Sequence, residues 1–483
     1  MTDKLILAID QGTTSTRALI FNARGDIIAK SQKELEIFTP QSGWVEQDAN
    51  QIWADVVDTC NDVLAQVDIN HVIGIGITNQ RETTVLWNKD TGEPAHNAIV
   101  WQDRRTADFC ETLKPFESDI QARTGLLADP YFSATKIRWI LDNLSPRHSG
   151  EGRNLVFGTI DSFLLWKLTN GKTHATDASN AARTMLYNIH ENQWDKTQCE
   201  RIGVPMDMLP TVMDNCAEFG VTELFDKPLP ILAMAGDQQA ATFGQACFDA
   251  GMVKSTYGTG CFALMNMGDT CVTSKNRLLS TIAWRINGKT TYALEGSIFV
   301  AGAAIQFLRD NLEFFDDASE TENIATSVND SDGVVFVPAL TGLGAPYWNP
   351  NARGAITGLS RGTTIAHITR AALEAQAFQT RDLINAMEGD IKTIRVDGGL
   401  VANDFVCQQI ANQTGAQIDR PMSTESTIWG VAAMAFLQAG VFQSLDDICA
   451  IYELDRQFTP DGEIGKNDSL YTQWENTINV VSA

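Results

Sequence analysis

The apolar run Leu5 to Ile9 ends at Asp10, and the small polar residues Gln11-Gly12-Thr13-Thr14-Ser15-Thr16 turn the chain into a second apolar run, Ala18 to Phe21, with Arg17 at its start. This pattern reads as strand, tight turn, strand. Its chemistry suits an oxyanion. Gly12 lets backbone N–H groups approach, the Thr and Ser hydroxyls donate, and Arg17 offers a fork of charged donors. Asp10 would face the same anion from the strand end, where a carboxylate is tolerable if a cation such as Mg²⁺ bridges the two. Taken alone, the segment is equally compatible with an ordinary β-hairpin.

A second segment of the same kind weighs against that reading. Val253 to Tyr257, Gly258-Thr259-Gly260 and Cys261 to Asn266 again read as strand, turn, strand, about half a chain later. Two such turns imply two similar domains gripping one polyphosphate. Gly258-x-Gly260-x-x-Ala263 fits a loose dinucleotide pattern, but a strand follows instead of a helix and no acidic residue stands near the required offset, so a Rossmann site is excluded. The Gly-Lys-Thr triplets at Gly171 and Gly288 lack the P-loop's leading glycine, because Trp166 and Ala283 occupy those positions.

A chain of 483 residues exceeds a single core, and the hairpin spacing divides it into domains over 1–245 and 246–483. The 36 basic and 60 acidic residues give a net charge of −24, which repels nucleic acid and anionic membrane surfaces. Any phosphate site must therefore rest on a few dedicated cations and a metal. The nine cysteines stand singly, without C-x-x-C spacing, as free thiols in a reducing cytoplasm would. Cys261 reads as a small buried strand residue more readily than as a nucleophile, since no His lies near it. Neither a signal peptide nor a membrane anchor is expected.

The apolar periodicity predicts an α/β chain. Helices are expected over Ile52–Val67, Val300–Leu312, Ile365–Met387 and Thr427–Ala439, the last alanine-rich and closely packed. Strands are expected over His71–Thr78, Thr83–Asn88, Leu229–Ala235, Val334–Ala339 and Ile394–Val396, and Ser145 to Gly152 reads as a surface loop. Three constellations carry further chemistry. Asn79-Gln80-Arg81-Glu82 joins two strands with donors and acceptors suited to several hydroxyls, or with a plain surface ion pair. Asp237 ends a strand and begins a helix, where a carboxylate is either an N-cap or a reactive group. Asp397-Gly398-Gly399 leads to Asn403 through a glycine turn on which a base or ribose can lie.

Two long segments resemble the signatures of the FGGY carbohydrate kinase family, within the actin/hexokinase/Hsp70 superfamily. They are Tyr131-x-Ser133-x-x-Lys136-Ile137-x-Trp139-Ile140-x-Asp142-Asn143, and Gly354-x-Ile356-x-Gly358-Leu359 with His367-Ile368-x-x-Ala371-Ala372-Leu373-Glu374. Ile77 to Thr84, Tyr257 to Phe262 and Leu340 to Trp348 are similar to its glycerol-phosphorylating members in particular.

The resemblance implies two actin-like (ribonuclease H-like) α/β domains around a central ATP and substrate cleft. It places glycerol against Arg81, Glu82, Tyr131, Asp237 and Gln238, with Trp101 and Phe262 on its carbon face. It places ATP along Thr13, Thr14, Arg17, Thr259, Gly302, Gln306, Gly399 and Asn403, with Mg²⁺ near Asp10. Asp237 would be the catalytic base and Arg17 would assist transfer. A cytoplasmic homodimer or homotetramer is the family's usual state. The sequence departs from some bacterial relatives at Thr222 to Leu229, where a glycine-rich basic loop would bind a sugar bisphosphate inhibitor, and from Glu463 onward. The alternatives are a family member acting on a pentulose or another small polyol, and a nucleotide switch of the actin or Hsp70 kind.

Overall fold

The computed structural model describes residues 4–144, 154–387, 389–462 and 464–482; the loop expected over Ser145 to Gly152 lies outside them. Two sheets organise the chain. The first contains β1 (Leu5–Gln11), β2 (Ser15–Asn22), β3 (Ile27–Glu34), β4 (Val72–Asn79), β5 (Cys216–Thr222) and β6 (Leu229–Gly236), in the order β5-β6-β4-β1-β2-β3. The second contains β7 (Met252–Tyr257), β8 (Cys261–Gly268), β9 (Leu279–Ile286), β10 (Lys289–Ile298), β11 (Thr393–Asp397), β12 (Gln417–Pro421) and β13 (Leu454–Phe458), in the order β9-β10-β8-β7-β11-β12-β13.

Read outward from its hairpin, each sheet has the same pairings. β1 is antiparallel to β2 and parallel to β4, as β7 is antiparallel to β8 and parallel to β11. An antiparallel strand closes each far edge, and β9 alone has no counterpart. The two glycine-rich turns thus occupy equivalent places in two repeats.

Every residue of β1 is buried, which requires cover on both faces of the sheet. The period of two decides which residue meets which cover. Leu7, Ile9 and Ile20 join Ile52, Val56 and Val63 of α1 (Ala49–Leu64), whereas Ile6, Ala8, Leu19 and Phe21 face the opposite way. α2 (Asp237–Gly244) leaves the end of β6. α3 (Gly302–Asp310) and α4 (Ile365–Ala386) pack on the second sheet, and α5 (Asp404–Thr414) connects β11 to β12.

α6 (Ser426–Gln438) lies in the second half of the chain but packs on the first sheet. Its Ile428, Val431, Ala432 and Phe436 meet Ile6, Ala8, Leu19 and Phe21 in one apolar cluster, where each large side chain contributes roughly 1.5–3 kcal/mol by burial. α6 also crosses α2 at backbone contact. A Cβ on Gly430 would lie 1.8 Å from the Ala240 carbonyl oxygen, and one on Gly244 would lie 2.1 Å from that of Ser426. Only glycine fits at this crossing.

Candidate functional site

The parallel strands β4 and β6 end side by side, and the residues that leave them meet in one buried cluster. Asn79 exchanges side-chain amide bonds of 3.0 and 3.1 Å with Asn180, and the Gln80 amide donates to the side-chain oxygens of Gln11 and Gln47. Arg81 and Glu82 are 3% and 1% exposed, so the surface ion-pair reading fails. Glu82 has φ +61°, a left-handed conformation that a non-glycine residue adopts at a cost of order 1–3 kcal/mol and that clusters at functional sites.

The charges form a continuous chain. Arg81 donates through both terminal nitrogens to Glu295 on β10, at 2.6 and 3.0 Å, while its Nε lies 3.3 Å from Oδ1 of Asp237. Arg183 donates to Glu82 at 2.6 Å and to Glu295 at 3.0 Å. Burial alone would raise the Glu295 carboxyl, but Arg183 and Arg81 hold it down at about 2. Fork-to-fork guanidinium–carboxylate pairs fix orientation as well as charge. A carboxylate of the second sheet therefore pairs with an arginine that follows the end of β4.

Asp237 is the first residue of α2 and does not cap it. The N-cap is Gly236, which has no side chain to cap with, and Oδ1 of Asp237 accepts from the adjacent Gln238 backbone N–H, at 2.6 Å. Its side chain keeps 32% exposure. Burial raises its pKa to about 6 against the pull of Arg81, with Glu82 adding to the rise. A carboxylate titrating near neutrality is suited to accept a proton. Across from it, the wholly buried Lys254 of β7 donates to Oε1 of Gln238 at 2.7 Å, and burial lowers its pKa.

Three aromatic rings wall the cluster. Trp101 stands edge-on to Tyr131 and Phe262, with centroids 5.6 and 6.3 Å away. Its Nε1 donates to Oγ1 of Thr13 at 2.9 Å, tying this wall to the first hairpin turn, and Tyr131 Oη lies 3.4 Å from Arg81 Nη2. Phe262 comes from β8, so both halves of the chain contribute.

In the first hairpin, Asp10 faces Arg17 across the strands, and Arg17 pairs with both Asp10 and Glu425, the latter at 2.5 Å. Arg17 is thus held between two carboxylates. Burial raises the Asp10 pKa in opposition to Arg17. Thr14 and Thr259 are exposed at their turns. Gly302 opens α3 and donates to the Gly258 carbonyl at 2.9 Å, where an added Cβ would stand 2.6 Å from that oxygen. Gln306 lies exposed one turn further along. Gly398 has φ +97°, and a Cβ there would meet the Tyr257 carbonyl at 2.3 Å. That approach brings the open Gly399 beside the second hairpin. Asn403 caps α5 through Val406 N–H and donates to Thr321 at 3.2 Å.

Glu295, Arg183, Lys254 and Glu425 were not singled out by sequence reasoning. For Glu295 and Lys254 the available signal was a lone charge inside an apolar strand, as in Ala293-Leu294-Glu295-Gly296. Cys261 is buried with its Sγ 3.1 Å from Ser255 Oγ, and burial pushes its thiol up to about 12, as an inert strand residue requires.

Comparison with known proteins gives this site its family. The N-terminal domain of the FGGY family of carbohydrate kinases matches residues 5–244, and the C-terminal domain matches residues 253–439. The chain belongs to the FGGY family of carbohydrate kinases. FGGY relatives of high similarity include the glycerol kinase of Marinomonas sp., 51% identical with 99% of this chain and 98% of the relative covered. Glycerol kinase 1 of Pseudomonas aeruginosa is 52% identical, with 98% of each chain covered. Among solved structures, the glycerol kinase of Plasmodium falciparum with ADP superposes with a TM-score of 0.94 at 34% identity, covering 99% of this chain and 98% of that one. A xylulose kinase from Lactobacillus acidophilus shares the FGGY fold, with a TM-score of 0.91 at 22% identity and 99% of each chain covered. Among the described residues no helix is long and apolar enough to cross a membrane.

Proposed function

We propose that this chain transfers the γ-phosphoryl group of ATP to glycerol, giving sn-glycerol 3-phosphate and ADP. The carrying observation is the buried Arg81–Glu82–Asp237 cluster under the Trp101, Tyr131 and Phe262 rings. A three-carbon polyol has a hydroxyl on every carbon, so an enclosing site must offer each one a partner, while its C–H edges suit aromatic faces. Arg81, Glu82, Tyr131, Asp237 and Gln238 supply the partners. The glycerol kinases that match about 50% of its residues over nearly the whole chain support the same substrate.

Asp237 takes the proton from the attacking hydroxyl, and its elevated pKa makes it a competent acceptor. The nucleotide lies between the hairpin turns, with Thr13, Thr14 and Arg17 on one side and Thr259, Gly302, Gln306, Gly399 and Asn403 on the other. Phosphoryl transfer asks for little beyond alignment and charge neutralisation. Among the described residues no three His, Cys, Asp or Glu side chains cluster as a metal site. Magnesium is commonly held by one or two carboxylates together with substrate phosphates, and Asp10, a lone buried carboxylate at a phosphate turn, fits that mode. Bound there, Mg²⁺ would neutralise phosphate charge. The test is an ATP-coupled assay over glycerol, erythritol, xylulose, ribulose and gluconate. Glycerol should give the highest kcat/KM, and a pentulose that beat it by about tenfold would overturn the substrate assignment.

A further inference from the structure

Glu295 stands on β10 of the second sheet, 2% exposed, and no expected substrate contact uses it. Its two oxygens nonetheless take three charged donors. Oε2 accepts from Arg81 Nη1 at 2.6 Å, while Oε1 accepts from Arg81 Nη2 and Arg183 Nη2, each at 3.0 Å. Arg81 thereby keeps its fork on Glu295 and presents only Nε to Asp237, at 3.3 Å. Arg183 keeps Nε on Glu82 at 2.6 Å. Without Glu295, the fork of Arg81 and Nη2 of Arg183 would be free to turn toward the nearest carboxylates, Asp237 and Glu82.

We propose that Glu295 is a positioning residue of this reaction: by holding both terminal nitrogens of Arg81 and one of Arg183 across the domain boundary, it leaves Asp237 basic and Glu82 correctly placed for the polyol. The inference rests on the roles given above to Arg81 and Asp237. The charged and titratable groups facing Asp237 are Arg81 and Glu82 from the segment after β4, Lys254 from β7 and, through Arg81, Glu295 from β10; Tyr131 and Arg183 complete the surrounding set. Removing the Glu295 charge acts on Asp237 in one direction twice. It deletes a nearby negative potential and releases Arg81 to pair more fully, and both favour the ionised carboxylate.

Glu295→Gln offers one acceptor oxygen and turns an amide donor toward a guanidinium, so it cannot reproduce the fork. Glu295→Asp keeps the charge on a shorter arm. Both are compared with wild type and with Asp237→Asn for kcat, glycerol KM, the pH profile of kcat/KM, nucleotide affinity and melting temperature. Glu295→Gln should raise glycerol KM and lower kcat by about tenfold or more each, with nucleotide affinity within about threefold. Its acid limb should move down by about half a pH unit or more. Glu295→Asp should restore the limb while keeping part of the KM defect. If Glu295→Gln keeps both limb and KM, the inference is overturned even where the melting temperature falls, since Glu295 then only packs the domains together. If it does not fold, Glu295→Asp carries the test, and a wild-type KM in that folded variant overturns the inference. An active Asp237→Asn would instead remove the reading of the site itself, whatever the Glu295 variants do.

Discussion

Replacing Asp237 by Asn should slow turnover severely and stabilise the protein at neutral pH. Burial raises the carboxyl from its ordinary value near 3.9 to about 6, a shift of about two units at 1.36 kcal/mol each, or about 3 kcal/mol. The side chain keeps 32% exposure, and discounting for solvent screening leaves about 1–2 kcal/mol. The folded-state pKa lies above the unfolded one, so this cost of holding a charge is present in full above about pH 6. It fades as pH falls toward the ordinary carboxylate value. A neutral amide of the same shape escapes it, and Arg81 retains Glu295 as its partner. Calorimetry should therefore show Asp237→Asn melting a few degrees above wild type at pH 7.5, with the gap closing toward pH 4. In a coupled assay its kcat should fall by about 10²–10⁴-fold, while wild-type kcat/KM should itself drop about tenfold between pH 7 and pH 5 as the base is protonated. Activity within about threefold of wild type would remove Asp237 as the base, and a melting temperature equal to or below wild type at pH 7.5 would refute the burial cost.

Gly430→Ala places a methyl 1.8 Å from the Ala240 carbonyl oxygen, so α2 and α6 must part by about 1.5 Å. Overpacking of about 1–3 kcal/mol should lower the melting temperature, and displacement of the helix that begins at Asp237 should cost about 10² in kcat; an unchanged pair of values would show that the crossing is looser than described. The segment from Thr222 to Leu229 should not bind a sugar bisphosphate. Its one cation, Lys227, already donates to the Asn70 and Val72 carbonyls at 3.2 and 3.1 Å. Fructose 1,6-bisphosphate should leave kcat unchanged at about millimolar concentration, and saturable inhibition lost on altering this segment would contradict that.

The sequence displayed both glycine-rich turns because glycine and hydroxyl residues at a strand reversal are a local signal. It displayed the strand-to-helix step at Asp237 for the same reason. It did not display that Asn79 to Glu82 are wholly buried, since four consecutive polar residues read as solvent-facing until Asn180, Gln47 and Glu295 are brought to them from distant positions. Glu295 and Arg183 were illegible because their meaning lies in each other: a single acid in a strand and a single arginine after an alanine-rich turn carry no spacing pattern. Helix α6 was legible as a closely packed helix, yet its alanines and Gly430 say nothing of which sheet they pack against. The strand boundaries shifted by a residue or two, as between Thr83–Asn88 expected and Val85–Asn88 found, where Thr84 pairs through its backbone with Ile99 and not with the partner of Val85–Asn88, and the Thr83 hydroxyl turns to Gln80.

The return of α6 to the first sheet sets an order of events during synthesis. When residues 5–244 have left the ribosome, the face formed by Ile6, Ala8, Leu19 and Phe21 lacks its α6 cover, because that helix is encoded about 180 residues later. At about 5–20 residues per second that interval is roughly 10–40 s. Through it the nascent first domain carries a sticky, part-covered β surface beside the half-built cluster at its strand ends. The first repeat is thus the earlier to be made but cannot be the earlier to finish, and a fragment ending near Gly244 is the wrong unit in which to look for an independently stable domain.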